Sequence, residues 1–174
     1  MLENNGILPL KLKGAKIALF GNGARHTVSG GTGSGEVNAR EVSSVEQGLE
    51  HAGAVITTKA WLDRYDAAAV QKKNIREKMQ QKYADSPELA FWAMFAHRNP
   101  LTIPTEENDF SKADQDIAIY VLARNSGEGA DRRNEPGDYQ LHQEEKEFLT
   151  ALCSNYSHVI VVLNIGGVID TSFS

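Results

Sequence analysis

Two short stretches carry the residue types from which a reacting site can be made. Between Gly21 and Gly35 the chain places six glycines in fifteen positions, with hydroxyls at Thr32 and Ser34. Far downstream, RNSGEGADRR at 124 to 133 sets Glu128 between Gly127 and Gly129. Glycine-rich backbone offers unhindered amides, and a glutamate flanked by glycines lets a substrate come close to its carboxylate. A phosphate loop needs Lys and then Ser or Thr straight after its last glycine, whereas Gly35 is followed by Glu36 and Val37. The dinucleotide pattern GxGxxG begins at Gly21 and Gly23 but meets His26 where the third glycine belongs, and that side chain would crowd the helix packing the glycine permits. No GxSxG surrounds Ser29, Ser34 or Ser126, and no two of the five histidines have the HxxxH spacing of a zinc site. What these residues allow is a neutral ligand rich in hydroxyls, met by backbone amides and by Thr32 and Ser34, with Glu128 as a general acid. An ion pair between Glu128 and Arg132 in a tight turn accounts for SGEG as well, and the residues alone leave both readings open.

The elements that must position these stretches are legible as apolar runs. KIALF at 16 to 20, AVITTKA at 54 to 60, DIAIYVLA at 116 to 123 and HVIVVLNI at 158 to 165 are continuous enough for strands buried on both faces of a parallel sheet. Between them, Val42, Val45 and Leu49 recur at helical spacing behind a capping box at Ser43 and Glu46, with Gly53 closing the helix. A polar helical pattern runs from Trp61 to about Lys82, and ELAFWAMFAH at 88 to 97 reads as a short apolar helix. Phe148, Leu149, Leu152, Cys153 and Tyr156 form a last apolar stripe, which places Cys153 in the core. This alternation predicts an α/β fold, an α/β/α sandwich with a mainly parallel sheet and right-handed crossovers. Parallel strands point one way, so the loops after Phe20 and Ala123 lie on the same rim and can share a site.

Composition narrows the partners. The 174 residues suit a single domain, 1–174, and 41% hydrophobic with 24% charged residues is ordinary for a soluble chain. A net charge of -5 argues against nucleic acid, and Lys72, Lys73, Arg76, Lys78 and Lys82 read as a solvated helix face. Cys153 is the only cysteine, which excludes an internal disulfide and a cysteine-based zinc site and fits a reducing, cytoplasmic setting. No run is long enough to span a membrane, no signal peptide opens the chain, and no metal or cofactor is implied. Phe91 and Trp92 read as core packing in preference to a wall for a sugar ring. Because GGVIDTSFS follows the last strand directly, the expectation is a partial domain whose exposed sheet edge favours self-association.

Six blocks then carry a resemblance. LENNGILPL at 2 to 10, KIALFGNG at 16 to 23, SGGTGSGEVN at 29 to 38, ARNSGEGADR at 123 to 132, PGDYQLHQEEKEFL at 136 to 149 and VVLNIGGVID at 161 to 170 resemble, in order, the α/β sandwich domain of glycoside hydrolase family 3, the β-glucosidase-like enzymes. The likeness spans the chain apart from roughly residues 61 to 110. His142 departs from it, standing where related sequences often start the helix with serine, a change of about 1 kcal/mol in capping.

The resemblance implies that Glu128 is the general acid/base, its pKa raised by a dry, partly apolar pocket. It implies that Ser34, with Thr32 and Gly33 in the same loop, holds sugar hydroxyls, and that Asp131 and Arg132 orient the Glu128 loop. It implies small β-glucosides or oligosaccharides as substrates, and a (β/α)8 barrel that supplies an aspartate nucleophile. Retaining hydrolysis needs two carboxyl groups roughly 5.5 Å apart, and this chain offers one, so alone it is expected to be inactive. The competing reading is a stand-alone carbohydrate- or nucleotide-binding module without catalysis.

Overall fold

A computed structural model describes residues 3–30, 40–86, 88–89, 101–110, 116–125 and 133–173. Strand β1 (Lys16–Phe20) is a fully apolar run after its first residue, and Ile17, Ala18, Leu19 and Phe20 are all completely buried. Strand β3 (Ile117–Arg124) is buried from Ala118 onward, so these two strands form the middle of the sheet. Strand β2 (Val55–Ile56) flanks β1, and β4 (His158–Ile165) flanks β3, giving the order β2-β1-β3-β4 with every pairing parallel. β4 has the bounds its apolar run predicts.

β2 is much shorter than its run. Thr57 donates its hydroxyl to the Ile17 carbonyl at 3.2 Å. The Thr58 hydroxyl donates to the Leu19 carbonyl at 2.6 Å and accepts the Leu19 amide at 2.8 Å. The Thr57 amide still donates to the Ile17 carbonyl at 3.0 Å, and from Thr58 a side chain takes over the ladder. The backbone is freed to turn, and helix α2 (Lys59–Lys82) begins inside the stretch expected to be strand.

Helix α1 (Val45–His51) is capped one residue later than the sequence suggests. Its capping box is Ser44 with Gln47: the Ser44 hydroxyl accepts the Gln47 amide at 3.1 Å, and the Gln47 side chain accepts the Ser44 amide at 3.0 Å. Glu46, expected in that box, is buried and turned to a different task described below. Gly53, at φ +92°, follows the last turn as a helix-ending glycine should.

Helix α3 (Gln143–Asn155) sets Leu149 and Leu152 on the sheet. Cys153, expected in the core, is exposed. The inward stripe is centred between Leu149 and Leu152 and continues to Tyr156, so Cys153 stands one residue past its edge. The crossovers β1-α1-β2 and β3-α3-β4 run outward in opposite directions, and the right-handed rule for parallel connections then puts α1 and α3 on opposite faces, which makes the sandwich. On the α3 face, Phe20 sits edge-on to Trp61 at 5.2 Å and to Phe148 at 5.4 Å, joining the start of α2 to α3. Beyond its first two turns α2 leaves the core: Val70 and Ile75 are more than half exposed. Of the basic residues expected on its solvated face, Lys73, Arg76, Lys78 and Lys82 are exposed, whereas Lys72 is half-buried. Among the described residues no helix is long and apolar enough to cross a membrane.

Three tyrosines are buried as neutral phenols. Burial, aided by the Glu145 charge, pushes Tyr65 up to about 12 and raises Tyr120; burial and the Asp109 charge push Tyr156 up to about 12. Against an unfolded value of about 10, they add stability that is whole below pH 10 and is lost as pH climbs toward 12. We expect the chain to unfold across that interval. Tyrosinate absorbance should rise together with loss of circular dichroism; ionisation of these three at pH 10 in the folded chain would contradict it.

Candidate active site

β3 and β4 run on past the carboxyl end of β1, and the chain leaving β1 is laid against this overhang. Gly21 adopts φ +98°, and a Cβ there would meet the Val121 carbonyl oxygen at 2.3 Å, so only glycine lets the backbone come so close. The Gly23 amide donates to the same carbonyl at 3.1 Å. Between them, the Asn22 carboxamide donates to the Ala123 carbonyl at 2.9 Å and accepts the Ala123 amide at 2.7 Å, which prolongs the ladder with a side chain. Asn164 does the same further along, bonding the amide and carbonyl of Val28 at 2.7 and 3.0 Å. The start and the middle of the loop are therefore fixed to β3 and β4.

Charge fixes its flank. The Arg25 guanidinium grips Glu46 with two bonds, at 2.7 and 3.1 Å, and reaches Asp63 at 2.7 Å and Asp66 at 2.9 Å. Hydrogen bonding to Glu46, partly opposed by burial and reinforced by the two aspartates, raises its pKa further and keeps it charged. His26 bonds Asp66 through Nε2 at 2.9 Å. The residue that spoils GxGxxG is thus largely exposed and bound to α2. Moreover residues 24–30 are not helical and α1 opens only at Val45, so among the described residues no helix starts at the third glycine position of a dinucleotide site.

At the end of β3, Arg124 forms a buried ion pair with Glu145 of α3. A cavity of about 450 Å³ lies beside this rim, walled by Trp61, Tyr65, Tyr120 and Phe148 and reached by Gly21 and Asn22.

β1 connects to β2 on one side, and the chain then returns past β1 to β3 and β4 on the other. The crevice between the carboxyl ends of β1 and β3 is therefore the switch point, where open α/β sheets take their ligands. Both glycine-bearing stretches leave the sheet at this crevice, one after Phe20 and one after Arg124. Thr32, Gly33, Ser34, Glu128, Asp131 and Arg132 lie outside the described residues, as do Ser126, Phe91 and Trp92. What surrounds the crevice instead is a set that sequence reasoning missed: Asn22, Asn164, Arg25 with Glu46, and Arg124 with Glu145. The one signal for them was a polar residue breaking an apolar run at its carboxyl end, as Asn164 and Arg124 do.

Fold and crevice together define an α/β sandwich domain with a switch-point crevice at the carboxyl ends of β1 and β3, and among the described residues the helix placement of a dinucleotide fold is not found. The chain belongs to the family of glycosyl hydrolase family 3 C-terminal domains, whose model matches residues 1–173. It is 31% identical to β-glucosidase A of Butyrivibrio fibrisolvens, over 99% of this chain and 22% of that protein. It is 30% identical to a β-glucosidase of Ruminococcus albus, over 99% of this chain and 17% of that protein. The chain thus spans about a fifth of the length of the curated relatives it matches. Among solved structures, β-glucosidase 3B of Thermotoga neapolitana in complex with glucose superposes with a TM-score of 0.63 at 29% identity, over 98% of this chain and 23% of that one. A β-glucosidase of Paenibacillus barengoltzii shares the fold, with a TM-score of 0.71 at 23% identity, over 98% of this chain and 17% of that one.

Proposed function

We propose that this domain supplies the general acid/base and part of the sugar-binding rim to a retaining β-glucosidase. Glu128 protonates the departing glycosidic oxygen and later deprotonates the incoming water, while Thr32, Gly33 and Ser34 meet sugar hydroxyls, and Asp131 and Arg132 orient the Glu128 loop. Its partners in this reading are a small β-glucoside or oligosaccharide and a (β/α)8 barrel carrying the nucleophile. The supporting observation is the adjacency of β1 and β3: Phe20 pairs with Tyr120 and the chain leaving β1 follows β3 onward, with Asn22 bonded to Ala123, so the chain leading to Ser34 and the chain leading to Glu128 leave the same rim of the sheet. The relatives' names and the glucose held by the Thermotoga neapolitana enzyme favour a glucoside over a nucleotide.

Alone, the chain should not turn over an aryl β-glucoside, because a general acid contributes only about 10² to 10⁴ in rate and this reading assigns the nucleophilic carboxylate to the barrel. Fused to a family 3 barrel, it should. Hydrolysis by the isolated chain would refute the division of labour, and a nucleotide bound at the Gly21 to Gly35 loop in place of glucose would favour the binding-module alternative.

Self-association belongs to the same proposal. β4 is only half-buried along its whole length, and among the described residues its one strand partner is β3. A long apolar edge of this kind pairs with what it meets. Light scattering over a concentration series should show dimers or larger species; a strict monomer at every concentration would oppose it.

A further inference from the structure

We propose that the Arg124–Glu145 pair positions the acid/base, by fixing the point and direction in which the SGEG segment leaves the sheet. The inference rests on the acid/base reading of Glu128. Arg124 is the last residue of β3, four positions before Glu128, and the two side chains of the pair are only 7% and 4% exposed. The guanidinium is held in several directions at once. Nη2 meets Glu145, and Nη1 donates at 3.1 Å to the Ala123 carbonyl, which also accepts from Asn22 at 2.9 Å. The Glu145 oxygen in the pair also accepts the His142 amide at 2.9 Å, at the start of α3, and the Arg124 carbonyl accepts the Gly166 amide at 3.0 Å. One planar cation therefore ties the end of β3, the loop after β1 and the first turn of α3 into a single rim.

Stability is a poor account of such a pair, since well-packed apolar residues in place of a buried ion pair are often neutral or better. What an arginine fork adds over an apolar pair is direction.

The test therefore uses a variant expected to fold. In a catalytically active fusion with a family 3 barrel, Arg124→Met combined with Glu145→Leu keeps the volume and removes the fork; Glu145→Gln and Arg124→Lys are made beside it. For an alkyl glucoside, kcat should fall about 10- to 100-fold with KM little changed, because misplacement harms proton transfer more than binding. Glycosylation by a dinitrophenyl glucoside, whose leaving group needs no proton, should be spared, and Arg124→Lys should recover only part of the loss. A merely structural role would lower both substrates together. Wild-type kcat on the alkyl glucoside in any folded variant that lacks the fork overturns the inference. Glu128→Gln, run in parallel, separates the two failures: if it spares the alkyl glucoside, the acid/base reading falls; if it discriminates and the double variant does not, only the positioning role falls.

Discussion

Glu128→Gln should cut turnover of glucosides with poor leaving groups by about 10² to 10⁴ in an enzyme that joins this domain to a family 3 barrel. The glutamine keeps the shape and can still bond a glycosidic oxygen, but it has no proton to give. An alkoxide is a poor leaving group, so the first step becomes limiting. A dinitrophenolate leaves unaided, so with that substrate the glycosyl-enzyme should form at nearly its normal rate and accumulate, because water then lacks its base. Azide needs no base and should restore turnover of the activated substrate, giving a β-glycosyl azide with retained configuration. Equal losses on both substrates with no azide product would remove Glu128 from the role, and the turn closed with Arg132 would become the better account of SGEG.

Gly21→Ala should be the most damaging small change in the described part of the chain, at about 3–5 kcal/mol. Two costs add. The φ of +98° is a left-handed conformation that alanine resists, and its Cβ would lie 2.3 Å from the Val121 carbonyl oxygen and 2.8 Å from the Val121 nitrogen. Both are backbone atoms of a central strand and cannot yield. Gly14, at φ +77° with nothing within 4 Å, isolates the first cost, so Gly14→Ala should lose only about 1 kcal/mol. Gly48 lies in α1 in open space, and Gly48→Ala should gain about 0.5–1 kcal/mol. Thermal unfolding of the three variants would rank them; a Gly21→Ala loss no larger than that of Gly14→Ala would mean that the loop can lift away from β3.

Strands β1, β3 and β4 were legible because both faces of each run are apolar, a pattern that depends on nothing distant. β2 was not, because whether threonines extend a strand or end it depends on what their hydroxyls can reach, and here they reach β1, about forty positions earlier in the chain. Cys153 and the α1 cap were missed by a single position each, where helical phase is set by tertiary contact. The candidate loops were recognisable from composition and from the resemblance. The carboxamides of Asn22 and Asn164 and the pairs Arg25–Glu46 and Arg124–Glu145 were not, since each acts on a partner from 21 to 136 positions away.

The order of strands also sets how the chain must be made. Ala18 lies against Ala118 and Leu19 against Ile119, so the central seam of the sheet joins residues a hundred positions apart. On a ribosome adding about 5–20 residues per second, the first apolar strand waits roughly 5–20 s for its main partner to appear, with the short β2, the Thr57 and Thr58 hydroxyls and Trp61 to lean on meanwhile. Closing so long a loop costs little in final stability but delays nucleation, because no local contact rewards it until the seam zips. Slow folding, with KIALF uncovered in the interval, is the cost of a crevice built where the chain reverses direction, and it falls on synthesis more than on the finished domain.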